Sequence, residues 1–351
     1  MQISVFVPQY GVIEAVTPAY RTFLTANEFL TTFGKKPAFK VEYVGLNEYV
    51  PANNGEYTIK TDRLLKDVSH TDLLIIPPTF GNTDMGIQAN AEAIPYFKKL
   101  HENGTSLASL CIGAFLLAET GLLNGKKCST HWAHITEFKE KYPLVEVEDG
   151  AVITEHDNIY SSGGASSLWN LILYLVEKFS DRETAVMISK YFALDIGRDS
   201  QSQFAIFKGQ KNHGDAGIQK IQTYIEENYE DKITIEDMIN LINVGRRTFE
   251  RRFKEATTNT PMEYLQRVRI EAAKKFFEAS RKNVTEVMYG VGYTDTKAFR
   301  DIFKKITGLT PIEYRNKFAR VANEYDLGSK DGARKSNTEL DSQHTDQMLK
   351  A

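Results

Sequence analysis

The 351-residue chain has only two cysteines, Cys111 and Cys128, and no unbroken apolar run of about 18 residues. Two cysteines cannot build a disulfide framework and suit a reducing cytoplasm. Without the apolar run, no membrane span is expected. The N-terminus, MQISVFVPQYG, has no basic region, no long apolar stretch and no small-residue cleavage site, so it reads as a first strand and not as a secretory signal. His101, His134, His156 and His213 fall at no metal-ligand spacing, so neither a metal nor a cofactor is expected.

What is there is an ordinary globular composition, 42% hydrophobic and 25% charged, in a length that fits two domains. The net charge of −3 hides an asymmetry. Residues 246–320 hold 18 Lys and Arg against 9 Asp and Glu, a net +9, whereas residues 1–213 hold 19 against 24, a net −5. A basic segment behind an acidic one points to an anionic partner for one end only.

The first half alternates. ISVFV, FKVEYVG, DLLIIP and TSLASLC are short β-rich runs, and TPAYRTFLTANEFLTTFG, NAEAIPYFKKLHENG, GAFLLAETGLL and ASSLWNLILYLVEKFS are helical stretches between or after them. VEVEDGAVITEHDNIYSSGG reads as two short strands around an Asp-Gly turn. This alternation predicts an α/β domain with a doubly wound, mostly parallel, flavodoxin-like sheet over residues 1–198. A polar, glycine-bearing stretch at 199–216 reads as a linker. Residues 217–320 carry only helical patterns and predict an all-α domain. Residues 321–351 are polar without apolar periodicity and read as a disordered tail.

The helical half repeats itself. RRTFERRFKEATTNTPMEYLQR (246–267) and TKAFRDIFKKITGLTPIEYRNK (296–317) share 8 of 22 positions at an offset of 50 residues. Chance would give one or two, so the segment is duplicated. Each copy has aromatics at i and i+4, Phe249/Phe253 and Phe299/Phe303, on the face that buries. A short helix, a turn (INVG, or GVGYTD with Thr294 or Asp295 as N-cap) and a basic second helix describe two helix-turn-helix units, joined by one long helix over 261–279. The second helix of such a unit lies in the major groove. Facing outward are Arg246, Arg247, Glu250, Arg251 and Lys254 in one copy, and Thr296, Lys297, Arg300 and Lys304 in the other. Arg can grip guanine bidentately, Glu can accept from cytosine, and Lys and Arg neutralise phosphates. Arg252 is assigned a structural role instead.

On RRTFERRFK, TPMEYLQRVRIEAA and VGYTDTKAFRDIFKKITGLTPIEYR, residues 215–318 resemble the AraC family of bacterial transcription regulators. The resemblance implies two units reading successive major grooves. Ile239 and Met288 stand where family members carry a small Ala, Gly245 where a Ser caps the first recognition helix, and Asp301 where a basic residue is usual. Phosphate repulsion is the expectation at Asp301.

SLCIGAF (109–115) raises a different chemistry, because a cysteine between an apolar strand and a small-residue helix start is how a nucleophile is set on a sharp turn. GVIEAVTPAY with Glu14, ASLCIGAFLLAETGLLNGKK with Cys111, and CSTHW with His131 resemble the ThiJ/PfpI superfamily, related to class I glutamine amidotransferase domains. The resemblance implies an acid, a cysteine and sometimes a histidine converging at the strand ends, with the thiolate favoured by the helix N-terminus and a carboxyl group hydrogen-bonded to the sulfur. Ile112 stands where such enzymes commonly have His, and PPTFGN, with Gly81 alone, replaces the usual Gly-Gly oxyanion loop. Acyl transfer needs both parts. The expectation is therefore an effector pocket lined by Glu14, Gly81, Cys111, Ile112, His131 and Trp132, with Glu14, Cys111 and His131 a vestigial elbow and no catalytic residue.

The two resemblances together, with SSGGASSLWNLILYLVEKF (161–179), are the arrangement of GlxA-type regulators. They imply a cytoplasmic, sequence-specific transcription regulator, an activator and homodimer that binds double-stranded promoter DNA, an unidentified small-molecule effector and RNA polymerase, with no membrane partner. The alternative is a ThiJ/PfpI-type cysteine hydrolase or deglycase with an accessory DNA-binding domain.

Overall fold

The computed structural model describes residues 1–195, 197, 200–280 and 282–319. The tail expected over 321–351 lies outside the described residues, and no helix among those described is long and apolar enough to cross a membrane.

The α/β half runs β1 (Gln2–Val7), α1 (Ile13–Thr32), β2 (Lys40–Gly45), β3 (Tyr49–Ala52), β4 (Tyr57–Lys60), β5 (Arg63–Leu64), β6 (Leu73–Ile76), α2 (Thr83–Ala89), α3 (Ile94–Glu102), β7 (Ser106–Ser109), α4 (Gly113–Ala118), β8 (Lys127–Cys128), α5 (Ile135–Lys141), β9 (Glu146–Val147), β10 (Ile153–His156), β11 (Ile159–Ser162), α6 (Ser167–Phe179) and α7 (Arg182–Tyr191). The main sheet has the order β10-β11-β7-β6-β1-β2-β5 and is parallel throughout except for β10. Its central strands are apolar on both faces because both faces are covered; all four residues of β6 are buried. One apolar core gathers Ile3, Val5, Ile75, Phe23 and Leu171 with α1, α6 and α7. The other gathers Phe6, Leu74, Ile76, Phe97, Phe115 and Phe138 with α3, α4 and α5. The expected doubly wound sheet is present.

The expected Asp149-Gly150 turn lies between β9 and β10, closed by the Ala151 N–H on Glu148 O at 3.3 Å. The antiparallel pairing is made one turn later, at Asp157-Asn158, where both residues adopt positive φ (49° and 58°), a conformation that short Asp and Asn side chains tolerate. The β3–β4 hairpin, absent from the sequence reading, folds over the end of β1, where Gly11 bridges Ala52. Its polar turn residues, Asn53 and Asn54, hid it among loop-like text.

The helical half runs α8 (Ala216–Asn228), α9 (Ile235–Ile242), α10 (Arg246–Thr257), α11 (Pro261–Ala279), α12 (Val284–Gly290), α13 (Thr296–Thr307) and α14 (Pro311–Phe318). It has two separate cores, one on Phe249, Phe253 and Tyr264, the other on Phe277, Phe299, Phe303 and Tyr314. The long helix α11 contributes to both. The repeat in sequence is a repeat in bonding. Thr260 and Thr310 form capping boxes with Glu263 and Glu313. Thr257 and Thr307 each donate to the carbonyl four residues earlier, Phe253 and Phe303. Tyr264 and Tyr314 donate to Glu226 at 2.7 Å and to Glu278 at 2.5 Å. Helix α10, which carries the first copy's aromatic pair, ends on Thr258 with φ +59°, where α13 of the second copy ends on Gly308 with φ +78°.

Candidate nucleic-acid interface and the Cys111 elbow

The basic helices α10 and α13 each bury two phenylalanines completely, with Thr257 or Thr307 beside them, and leave a basic face to solvent. Arg246, Arg247, Arg251, Lys254, Thr296, Lys297, Arg300 and Lys304 are all exposed, and Glu250 is half-exposed. The expected DNA-facing residues thus share two solvent faces. Asp295 resolves the open cap, accepting the Ala298 N–H at 2.6 Å. Gly245 begins α10 with no side-chain cap.

The two faces differ in charge arrangement. On α10, Arg246 pairs with Glu250 at 3.0 Å, and Arg251 pairs with Glu255 at 2.8 Å. Exposed pairs one turn apart contribute only a few tenths of a kcal/mol, so a phosphate or a base edge can displace them. On α13, Lys297, Arg300 and Lys304 have no ion pair among the described residues, and Asp301 stands exposed beside them. Arg252 is not part of the face. Its guanidinium grips Asp215 at 2.6 and 3.0 Å and anchors α10 to the start of α8, the structural role expected of it.

In the α/β half, Cys111 follows β7 and adopts φ +55°, rare for a non-glycine residue and typical of a strained elbow. The turn is closed from four sides. Leu110 N–H donates to Ile76 O at 2.9 Å, and Gly113 N–H donates to Leu110 O at 2.8 Å. Cys111 N–H donates to Ser162 Oγ at 3.2 Å, and Thr130 Oγ1 donates to Cys111 O at 3.2 Å. A Cβ at Gly113 would lie 2.3 Å from Ile76 O, so only glycine lets α4 start this close to β6.

The chemistry expected of the elbow is not assembled. Cys111 is 7% exposed, and burial pushes its thiol up to about 11 against the opposing pull of the Ile112 N–H. Burial of the sulfur thus works against the thiolate stabilisation expected of the helix N-terminus. Glu14 does not serve the sulfur. It is exposed, and its carboxylate accepts from Asn53 Nδ2 at 3.1 and 3.2 Å, because the β3–β4 turn reaches it. Burial, and then His134, push the His131 imidazole below the ordinary histidine range, and its Nδ1 accepts the Ala133 N–H at 3.1 Å. In the loop that replaces the oxyanion glycines, the Phe80 N–H is spent on Tyr10 O at 2.6 Å, and Gly81 lies exposed beside it. His131, Trp132 and Ile112 are half-buried around the elbow's rim.

The sequence reading missed the residue that fills this rim, Gln201. It is 1% exposed, and its carboxamide lies against the Gly163-Gly164 backbone and the start of the Trp132 turn. Only the glycine pair hinted that another group approaches closely there.

Residues 20–178 match the DJ-1/PfpI family, and residues 239–317 match a helix-turn-helix domain. The HTH-type transcriptional regulator GbdR of Pseudomonas aeruginosa (strain UCBPP-PA14) is 26% identical over 66% of this chain and 64% of its own length, so the chain spans just under two thirds of that relative. The HTH-type transcriptional regulator CdhR of Pseudomonas aeruginosa (strain ATCC 15692) is 27% identical over 76% of this chain and 78% of its own length. The HTH-type transcriptional regulator GlxA of Rhizobium meliloti (strain 1021) is 22% identical over 63% of this chain and 68% of its own length.

Proposed function

We propose, from a chain that places a DJ-1/PfpI-type α/β domain before an AraC-type helix-turn-helix domain, a sequence-specific DNA-binding transcription regulator. One observation carries the reading: two basic helices, 50 residues apart in sequence, bury the same aromatic pair and turn their cations to solvent. A helix of that kind fits the major groove, with arginines for guanine edges and lysines for phosphates. Arg247, Arg251 and Lys254 act from the first copy, and Lys297, Arg300 and Lys304 from the second. The α/β domain takes a small-molecule effector at the rim of the elbow and carries out no reaction, since the Cys111 thiol is pushed up to about 11 and Glu14 is bound elsewhere. The chain acts in the cytoplasm as a homodimeric activator that contacts RNA polymerase; sedimentation and promoter-driven transcription with purified components test those two properties.

The test of DNA binding is fluorescence anisotropy of the full chain with a labelled duplex. The logarithm of affinity should fall linearly with the logarithm of salt, and a joint Lys254→Ala and Lys304→Ala variant should show a shallower slope. A slope unchanged by that variant would remove both helices from the interface. The positive φ of Cys111 favours one rival, a cysteine hydrolase. Amide or ester turnover that disappears in Cys111→Ser would establish the rival.

A further inference from the structure

Gln201 is bonded as a ligand would be. Its Oε1 accepts from Gly164 N–H at 2.6 Å and from Trp132 N–H at 3.3 Å. Its Nε2 donates to Thr130 O at 2.9 Å and to Ala151 O at 3.2 Å. Two backbone donors therefore face the oxygen, and two backbone acceptors face the nitrogen. That is the complement of a primary carboxamide. A carboxylate of the same shape would set lone pairs against Thr130 O and Ala151 O. A buried polar site discriminates strongly against a group that leaves its partners unpaired. The recess is shaped for this occupant, since a Cβ at Gly163 would lie 2.4 Å from Gln201 Nε2.

The segment that carries Gln201 joins the two halves with little slack. Upstream, Gln201 N–H and Ser200 Oγ both donate to Gly150 O, at 2.8 and 3.2 Å. Downstream, Ala205 O accepts from Lys274 Nζ at 2.5 Å, and Phe207 N–H donates to Glu271 Oε2 at 3.1 Å. Lys274 and Glu271 pair at 2.8 Å on α11, with side chains only 5% and 12% exposed. Between these anchors lies one 3-10 turn, Ser202–Phe204, which packs on α13 and sets Phe204 edge-on to Phe318 of α14. An open cleft of about 1020 Å³ is lined by Trp132, Ser202 and Lys274 among others, so it runs beside two residues that flank or bond Gln201.

We propose that this recess is a carboxamide-binding site with Gln201 as its resident internal ligand, and that a small molecule bearing a primary carboxamide displaces Gln201 and so uncouples the α/β domain from the second helix-turn-helix unit. The effector class and the coupling rest on the regulator reading; the recess itself does not. An external carboxamide must overcome the high effective concentration of a tethered one, which the neighbouring cleft allows through further contacts.

The test uses the full chain carrying Gln201→Ala, with propionamide as probe and propionate as its isosteric control. Propionamide should raise the melting midpoint of the variant by a few degrees, while propionate leaves it unchanged and wild type responds to neither. No response to propionamide, or an equal response to both, overturns the proposal. Gln201→Glu keeps the side-chain volume and serves where Gln201→Ala does not fold: protease cleavage within 202–214 should be at least about tenfold faster than in wild type, and an unchanged rate overturns the proposal. DNA affinity separates the two layers. Gln201→Ala should shift it several-fold, and propionamide should leave that shift in place, because a free carboxamide fills the recess without restoring the tether. Rescue of melting in a variant whose DNA affinity equals that of wild type overturns the coupling, whereas wild type that binds no DNA overturns the regulator reading and leaves the recess standing.

Discussion

The Cys111 elbow and the recognition helices are arranged in opposite ways. The elbow holds an unusual backbone, φ +55°, and encloses its thiol, 7% exposed. The two basic helices have ordinary helical backbone and present all their charged groups but Arg252 to solvent. The turn offers a buried thiol, whereas the helices offer cations whose ion pairs an incoming anion can displace. What a reacting partner can reach decides between them, more than how unusual the local backbone is.

The comparison is broken most severely through the aromatic supports of the helices. Phe253→Ala and Phe303→Ala each remove a fully buried ring and should cost about 3–5 kcal/mol. The two rings belong to separate cores, so each variant should loosen its own helix-turn-helix unit and spare the other. Amide hydrogen exchange resolved by residue checks this; equal loss of protection in both units would show one shared core.

Cys111 sharpens the other side. Burial favours its protonated form, so alkylation by iodoacetamide at pH 8 should run more than about a hundredfold slower than at an exposed thiol. The sign for stability follows. The folded value of about 11 lies above the ordinary 9.0, so the contribution is complete below pH 9 and is lost as pH rises from there toward 11. Cys111→Ser should flatten that part of the stability curve, and identical curves for variant and wild type would contradict the burial argument.

How much of this was legible follows from the kind of signal each feature leaves. The repeat wrote itself into sequence because the same Phe, Thr-Pro and Glu-Tyr contacts recur, and α11 spans the 261–279 expected of it. The parallel sheet was readable from apolar runs such as LLII, buried on both faces. The β3–β4 hairpin, the Asp157-Asn158 turn and the Asn53–Glu14 contact were not, since each depends on a short polar segment meeting a distant one. Gln201 was the least legible. A glutamine in polar linker text has no pattern, and its burial exists only through four backbone groups from three other segments.

Smaller substitutions refine the contrast within the interface. Arg251→Ala should weaken binding to the preferred sequence by about 1–3 kcal/mol and relax the preference at one base pair. Uniform weakening across all duplexes would make Arg251 a phosphate contact. Thr258→Gly gives the first copy the residue that the second carries at the same left-handed position. It should stabilise the first unit by about 1 kcal/mol in denaturant unfolding, and a loss of stability would mean that the Thr258 side chain is needed there. Asp301→Arg should steepen the salt dependence of DNA binding by about one unit of slope and tighten binding at low salt, whereas an unchanged slope would place α13 away from the phosphates.

The exposed faces of α10 and α13 should read DNA sequence together, and selection of bound duplexes from a random pool by the full chain checks this. The expected result is enrichment of a shared motif with two blocks about one helical turn, roughly 10 base pairs, apart, the first block lost with Arg251→Ala and the second with Arg300→Ala. A pool that stays random after repeated rounds, or a motif that survives both substitutions intact, would contradict it.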